Sequence, residues 1–154
     1  MWDQNREGSL GAQLAQAIAA VWPIGYITNV AWDVEYTDEF EEWWTGLTED
    51  EQSSVDSYVG LLINGGPTLP YPYSSGVQES RHSRMRELRV QHEGRPYRVL
   101  YAFDPRRVAL LLIGGDKTGN DRWYEENVPR ADSLFDQHLK LLEREGLTDG
   151  EEVQ

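Results

Sequence analysis

Arginine dominates the chemistry available to this 154-residue chain. Eleven of its fourteen Lys and Arg lie between residues 81 and 130, and ten of those eleven are Arg. A guanidinium grips a phosphate or carboxylate in a bidentate fork and keeps its proton at any physiological pH, so it holds and neutralises an oxyanion but cannot shuttle a proton. Two arginines stand out by position. Arg89 alternates with Leu88 and Val90, and Arg98 alternates with Tyr97 and Val99 in the next apolar run. The period of two places both guanidiniums on one side of neighbouring strands, opposite Leu88 and Val90. Two forks side by side suit one phosphodiester. A proton carrier must come from elsewhere, and residues 114–124 (GGDKTGNDRWY) supply Lys117, Arg122 and Tyr124. Of these, Lys117 and Tyr124 titrate, and neighbouring Arg charge is expected to pull them toward neutrality.

The elements that must position these groups are legible as patterns. Residues 31–36 alternate apolar and acidic side chains, which predicts a half-buried strand with Trp32, Val34 and Tyr36 opposed to Asp33 and Glu35. Thr37 or Asp38 can cap a helix to Leu47, carrying Phe40, Trp43 and Trp44. Thr48 followed by Glu51 forms a capping box for a second helix, which runs to about Asn64 with Val55, Tyr58, Val59, Leu62 and Ile63 as its apolar stripe. Residues 66–76, with three Pro, read as a loop. Residues 85–92, 96–103 and 107–113 then read as three strands joined by hairpin-length connections, an antiparallel meander whose last, wholly apolar strand is the most buried. A polar loop from Gly114 leads to a final helix with Ala131, Leu134, Phe135, His138, Leu139 and Leu142 on one stripe. The helices are expected to cover one face of the meander and to leave the other, concave face to Arg89 and Arg98.

The expected fold class is therefore α+β: a strand, a helical hairpin, a three-strand meander and a C-terminal helix. An extra N-terminal helix, opening at Ser9 or Gly11 and closing near Trp22-Pro23, belongs to an extension over residues 1–30. The main domain spans 31–145, and an acidic tail follows over 146–154.

Composition narrows the class. With 39% hydrophobic and 11% aromatic residues, including six Trp and eight Tyr, the chain reads as soluble and globular. Its longest apolar run, 108–113, is far short of the roughly 20 residues a membrane span needs. Neither a basic n-region nor a clean apolar h-region opens the chain, so no secretory signal is expected. The absence of Cys excludes disulfides, thiolate zinc sites and a Cys nucleophile, and fits a cytoplasmic location. A net charge of −13 argues globally against a nucleic-acid binder, but residues 81–130 carry a local balance of +4. Residues 33–56 hold ten acidic residues and no cation.

Three segments, MRELRV (85–90), PYRVLYAF (96–103) and LLIGGDKT (111–118), occur in an order and spacing that resembles the toxins of the RelE/ParE superfamily, within it the HigB-type, phage-derived branch. The pattern covers residues 31 to about 142. The resemblance implies a RelE-like fold and a ribosome-dependent mRNA endonuclease that works without metal or cofactor and is neutralised by a cognate helix-turn-helix antitoxin. By the same resemblance Arg89, Arg98, Lys117 and Tyr124 are the catalytic positions; Arg84, Arg86, His92 and Arg122, in or beside the basic segment, are the expected RNA contacts. The substrate's own 2′-hydroxyl would attack the adjacent phosphate while the two arginines stabilise the dianionic transition state. The acidic helical hairpin, with Glu41, Glu42, Trp43 and Trp44, is the expected antitoxin surface.

Several residues carry plainer readings. His82 and His92 can act as proton shuttles but read as exposed turn residues, and His138 reads as a satisfied core or interface His. Glu87 reads as a salt-bridge partner of Arg89. Trp43 and Trp44 suit core packing as well as a docking surface, and Asp116 suits a loop cap as well as a catalytic role. Two rival functions remain open at this point: a gyrase poison of the ParE branch, which retention of Arg89, Arg98 and Lys117 argues against, and a non-catalytic binding module, which the acidic total favours.

Overall fold

In the computed structural model, which describes residues 31–147, the first element is strand β1 (Val34–Tyr36). The N-terminal helix expected within residues 1–30 and the tail beyond residue 147 lie outside the described residues. Helix α1 (Asp38–Thr45) starts because the Thr37 side chain accepts a hydrogen bond from the Phe40 amide, and Asp38, Glu39 and Glu41 place negative charge at its positive end. Helix α2 (Glu49–Gly65) carries the expected capping box, with Thr48 and Glu51 each accepting from the other's backbone N–H. It stops at Gly66, whose φ of +55° suits glycine.

The sheet has five strands in the order β1, β5 (Ala109–Asp116), β4 (Arg95–Phe103), β3 (Arg86–His92), β2 (Ser74–Gly76). Its centre is the expected meander: β3, β4 and β5, paired antiparallel. β1 pairs parallel with β5, Val34 opposite Ala109. The edge strand β2 arises from the segment expected to be wholly loop. Its three residues follow the last proline of that segment, so nothing blocks their pairing with β3.

Two further boundaries differ from expectation, and both move site residues. β5 continues through Gly114 and Gly115 to Asp116, although glycine weakens a strand. The final helix, α3 (Trp123–Arg144), begins eight residues before Ala131 and runs through Pro129. Trp123, Val128, Ala131 and Phe135 bury one stripe against the sheet, and this packing outweighs the hydrogen bond that a helical proline forgoes.

Helices therefore flank both faces of the sheet, which corrects the expectation of one covered face. α1 and α2 enclose one core with Val34, Leu88, Val90, Tyr97, Val99 and Leu111. α3 closes a second core on Leu100, Ala102, Leu110, Leu112 and Ile113. Arg89 and Arg98 lie on the α3 face, beside the first turn of that helix. Among the described residues no helix is long and apolar enough to cross a membrane.

Candidate functional site

Arg89 on β3 and Arg98 on β4 are direct cross-strand partners, and Arg98 is in turn opposite Gly115 on β5. This row crosses three strands on one face, and Gly115 makes room within it. A Cβ there would stand 2.6 Å from the indole nitrogen of Trp123, so only glycine lets the first turn of α3 settle against the sheet. The neighbouring Gly114 plays the same part on the opposite face, where a Cβ would meet the Trp43 ring at 2.1 Å. Seating Trp123 brings Tyr124 over the arginines.

Glu87 is the centre of the cluster. Its buried carboxylate accepts hydrogen bonds from the Tyr124 hydroxyl (2.6 Å), from Ser75 Oγ (2.8 Å) and from Arg89 Nη1 (3.2 Å), and it stands 3.4 Å from Arg98 Nε. Arg98 also donates to the Tyr124 hydroxyl at 3.3 Å and to the Tyr97 carbonyl at 3.0 Å. With 5% of its surface exposed, Arg98 is held rather than solvated. Arg89 is half-buried, and its guanidinium lies 5.2 Å from the centre of the Tyr71 ring. Lys117 Nζ lies 5.5 Å from the centre of the Tyr124 ring.

Burial, the hydrogen bond to Glu87 and the charge of Glu87 push the Tyr124 hydroxyl up to about 12, against the smaller opposite pull of Arg98. The expected shift toward neutrality is therefore reversed for this group. Tyr124 keeps its proton at physiological pH and can donate it.

His92 is buried on the α1–α2 face, with Nδ1 2.7 Å from Ser54 Oγ and Nε2 2.9 Å from Glu93, so it is neither an exposed turn residue nor on the face of Arg89 and Arg98. His82 pairs with Asp136 of α3 at 2.8 Å, and His138 pairs with Asp104 at 2.8 Å. Arg84 and Arg86 line a separate cavity of about 450 Å³ with Trp32, Phe103 and Arg107. Arg122 is exposed and paired with Glu125 at 2.8 Å. Asp116 caps its loop by accepting from the Thr118 amide at 2.9 Å and pairs with Arg95 at 3.1 Å.

On the hairpin, Trp44 is buried against Phe40, which corrects its reading as an exposed anchor. Trp43 is half-buried and lines a cleft of about 550 Å³ with Glu39, Glu42, Leu47 and Glu51. Glu42 is exposed and Glu41 is half-buried.

The chain matches a family profile described as phage-derived protein Gp49-like (DUF891) over residues 42–136. It belongs to the Gp49-like family. Two curated relatives come from Mycobacterium tuberculosis. One, named "Putative toxin HigB3", is 45% identical over 102 residues, which cover 66% of this chain and 88% of the relative. The other, named "Putative toxin HigB2", is 36% identical over 117 residues, covering 75% of this chain and 58% of that relative. The HigB-type resemblance carried by the three strand segments agrees with both. Within the Gp49-like match lie every strand of the meander, Glu87, Arg89, Arg98, Lys117 and Tyr124.

Glu87 binds more than the Arg89 partner that the sequence suggests, and Tyr58, which the pattern of α2 assigns to its apolar stripe, joins Tyr71, Tyr73 and Gln91 in lining a small cavity against Arg89 and Arg98. The signal for Gln91 was present, since it shares the parity of Arg89 on β3. The tyrosines come from α2 and from a proline-rich loop, and only the tertiary fold brings them to this edge.

Proposed function

We propose that this chain is the toxin of a toxin–antitoxin pair and an endoribonuclease that cuts mRNA on the ribosome, without metal, by attack of a 2′-hydroxyl on the adjacent phosphate. The observation that carries this reading is the in-register pair Arg89 and Arg98 with the protonated Tyr124 phenol beside them. The two guanidiniums hold the scissile phosphate and stabilise the charge that grows on it. The 2′-hydroxyl proton passes to Glu87 or Lys117, the phosphorus–5′-oxygen bond breaks, and Tyr124 supplies the proton that the leaving oxygen takes. A 2′,3′-cyclic phosphate and a 5′-hydroxyl result.

Residues 31–145 form the catalytic unit in this reading, with 1–30 as an extension and 146–154 as an acidic tail. The chain works in the cytoplasm, where a helix-turn-helix antitoxin silences it by docking on the acidic hairpin. Primer extension on a reporter mRNA, with ribosomes present and absent, tests the activity. Ribosome-dependent cuts that disappear in Arg98→Lys are the expected result, and an uncut message overturns the reading.

A further inference from the structure

Every polar group at the centre of the site is engaged: Glu87, Arg89, Arg98, Ser75 and Tyr124 bond one another. The cavity beside it is different. It measures about 210 Å³ and is lined by Tyr58, Tyr71, Pro72, Tyr73, Gln91 and the two arginines. Among the described residues, the hydroxyls of Tyr58, Tyr71 and Tyr73 and the Gln91 amide have no hydrogen-bond partner. Tyr71 is 70% exposed and Tyr73 41%, which makes them two of the four exposed large hydrophobic residues of the described chain. Exposed aromatic rings with idle polar ends, set against a phosphate-sized pair of arginines, form a receptor for a flat, apolar, hydrogen-bonding group that carries an anion.

A nucleobase attached to a held phosphate has that chemistry. Bases stack on tyrosine faces, and an amide with one donor and one acceptor side reads a base edge. We propose that Tyr58, Tyr71, Tyr73 and Gln91 form a binding pocket for the base of a nucleotide adjoining the phosphate held by Arg89 and Arg98. Gln91 selects among bases, and the tyrosines supply the stacking. The Arg89 guanidinium already lies over Tyr71 and links the two halves of the site. This inference rests on the reading of the chain as a ribonuclease, so its test is a binding measurement that needs no cleavage.

The probe is a fluorescein-labelled RNA trinucleotide made uncleavable by 2′-O-methylation, compared with the same trinucleotide lacking one base in turn. Anisotropy titrations use the full chain and its Tyr71→Ala, Tyr73→Ala and Gln91→Ala variants. Removing one particular base is expected to weaken binding to the unsubstituted chain by roughly five-fold to a hundred-fold, the range of one stacked base. The same removal should cost little in Tyr71→Ala and Tyr73→Ala, and Gln91→Ala should flatten the preference among bases at that position. Both tyrosines are exposed, so their variants should melt with the parent chain, and a melting scan verifies it. Equal affinity for the complete and base-less trinucleotides overturns the pocket even where reporter cleavage succeeds. Base-dependent binding without cleavage upholds the pocket and places the failure in the catalytic reading.

Discussion

The Tyr124 hydroxyl donates to Glu87 at 2.6 Å, and this bond joins the first turn of α3 to the start of β3. A phenol in contact with a buried carboxylate holds its proton more tightly, because phenolate formation would set two negative charges against each other. Glu87→Gln removes that opposition and leaves Arg98 beside the phenol. The Tyr124 ionisation should then fall from about 12 toward the ordinary tyrosine value. An ultraviolet difference titration, with Tyr124→Phe to assign the signal, reads the change directly. The folded value lies above the unfolded value of about 10, so the contribution is complete below pH 10 and is lost as the pH rises toward 12.

Arg98 has to be tested with a substitution that respects its burial. It is 5% exposed and faces a Glu87 that is equally buried. Arg98→Ala should destabilise the fold by about 3–5 kcal/mol, the usual result of removing one partner of a buried ion pair. An inactive Arg98→Ala would then say little about chemistry. Arg98→Lys keeps the charge and loses the fork, so chemical denaturation should show a smaller loss of stability. Its cleavage rate should nonetheless fall by a hundred-fold or more, the scale of one lost transition-state contact.

Gly114 and Gly115 separate packing from function. Alanine at either position drives a methyl into an indole ring, and overpacking of this kind costs about 1–3 kcal/mol. Gly114→Ala pushes Trp43, on the face away from the arginines, and should lower stability alone. Gly115→Ala pushes Trp123 and with it Tyr124, so it should lower cleavage per folded molecule as well. Denaturation curves and activity on the same preparations distinguish the two. Equal activity in both variants would show that Trp123 does not seat Tyr124.

The same glycines explain why the strands were legible in the sequence and the site was only partly so. Alternation around Leu88, Arg89 and Val90 set the side chains of β3 correctly, and the Thr48–Glu51 box placed α2, because both signals are local. A Gly-Gly pair ordinarily marks a loop, yet here it continues β5, since two tryptophans far apart in sequence need flat backbone beneath them. Arg98 reads as a surface cation by residue type. Its burial follows from Glu87, Tyr124 and the Tyr97 carbonyl, three partners that only the folded chain assembles around it. His92 shows the converse: a hairpin end suggested exposure, and Ser54 of α2 covers it.

The hairpin gives the last expectation. Antitoxin binding on α1 should use Trp43 as its anchor, since Trp44 is sealed in the core and Trp43 borders an open cleft with Glu39 and Glu42. Acidic residues around an aromatic anchor steer a basic partner through long-range attraction, which acts mainly on the association rate and weakens with salt. Changing Glu41 and Glu42 to Lys should slow association and flatten its salt dependence. Trp43→Ala should act on dissociation, because the anchor's contacts form only after docking. Surface plasmon resonance at two ionic strengths reads both rates. The charge variant should leave mRNA cleavage unchanged, as α1 lies across the sheet from Arg89 and Arg98. Association that ignores the charge reversal would remove the hairpin from the antitoxin interface.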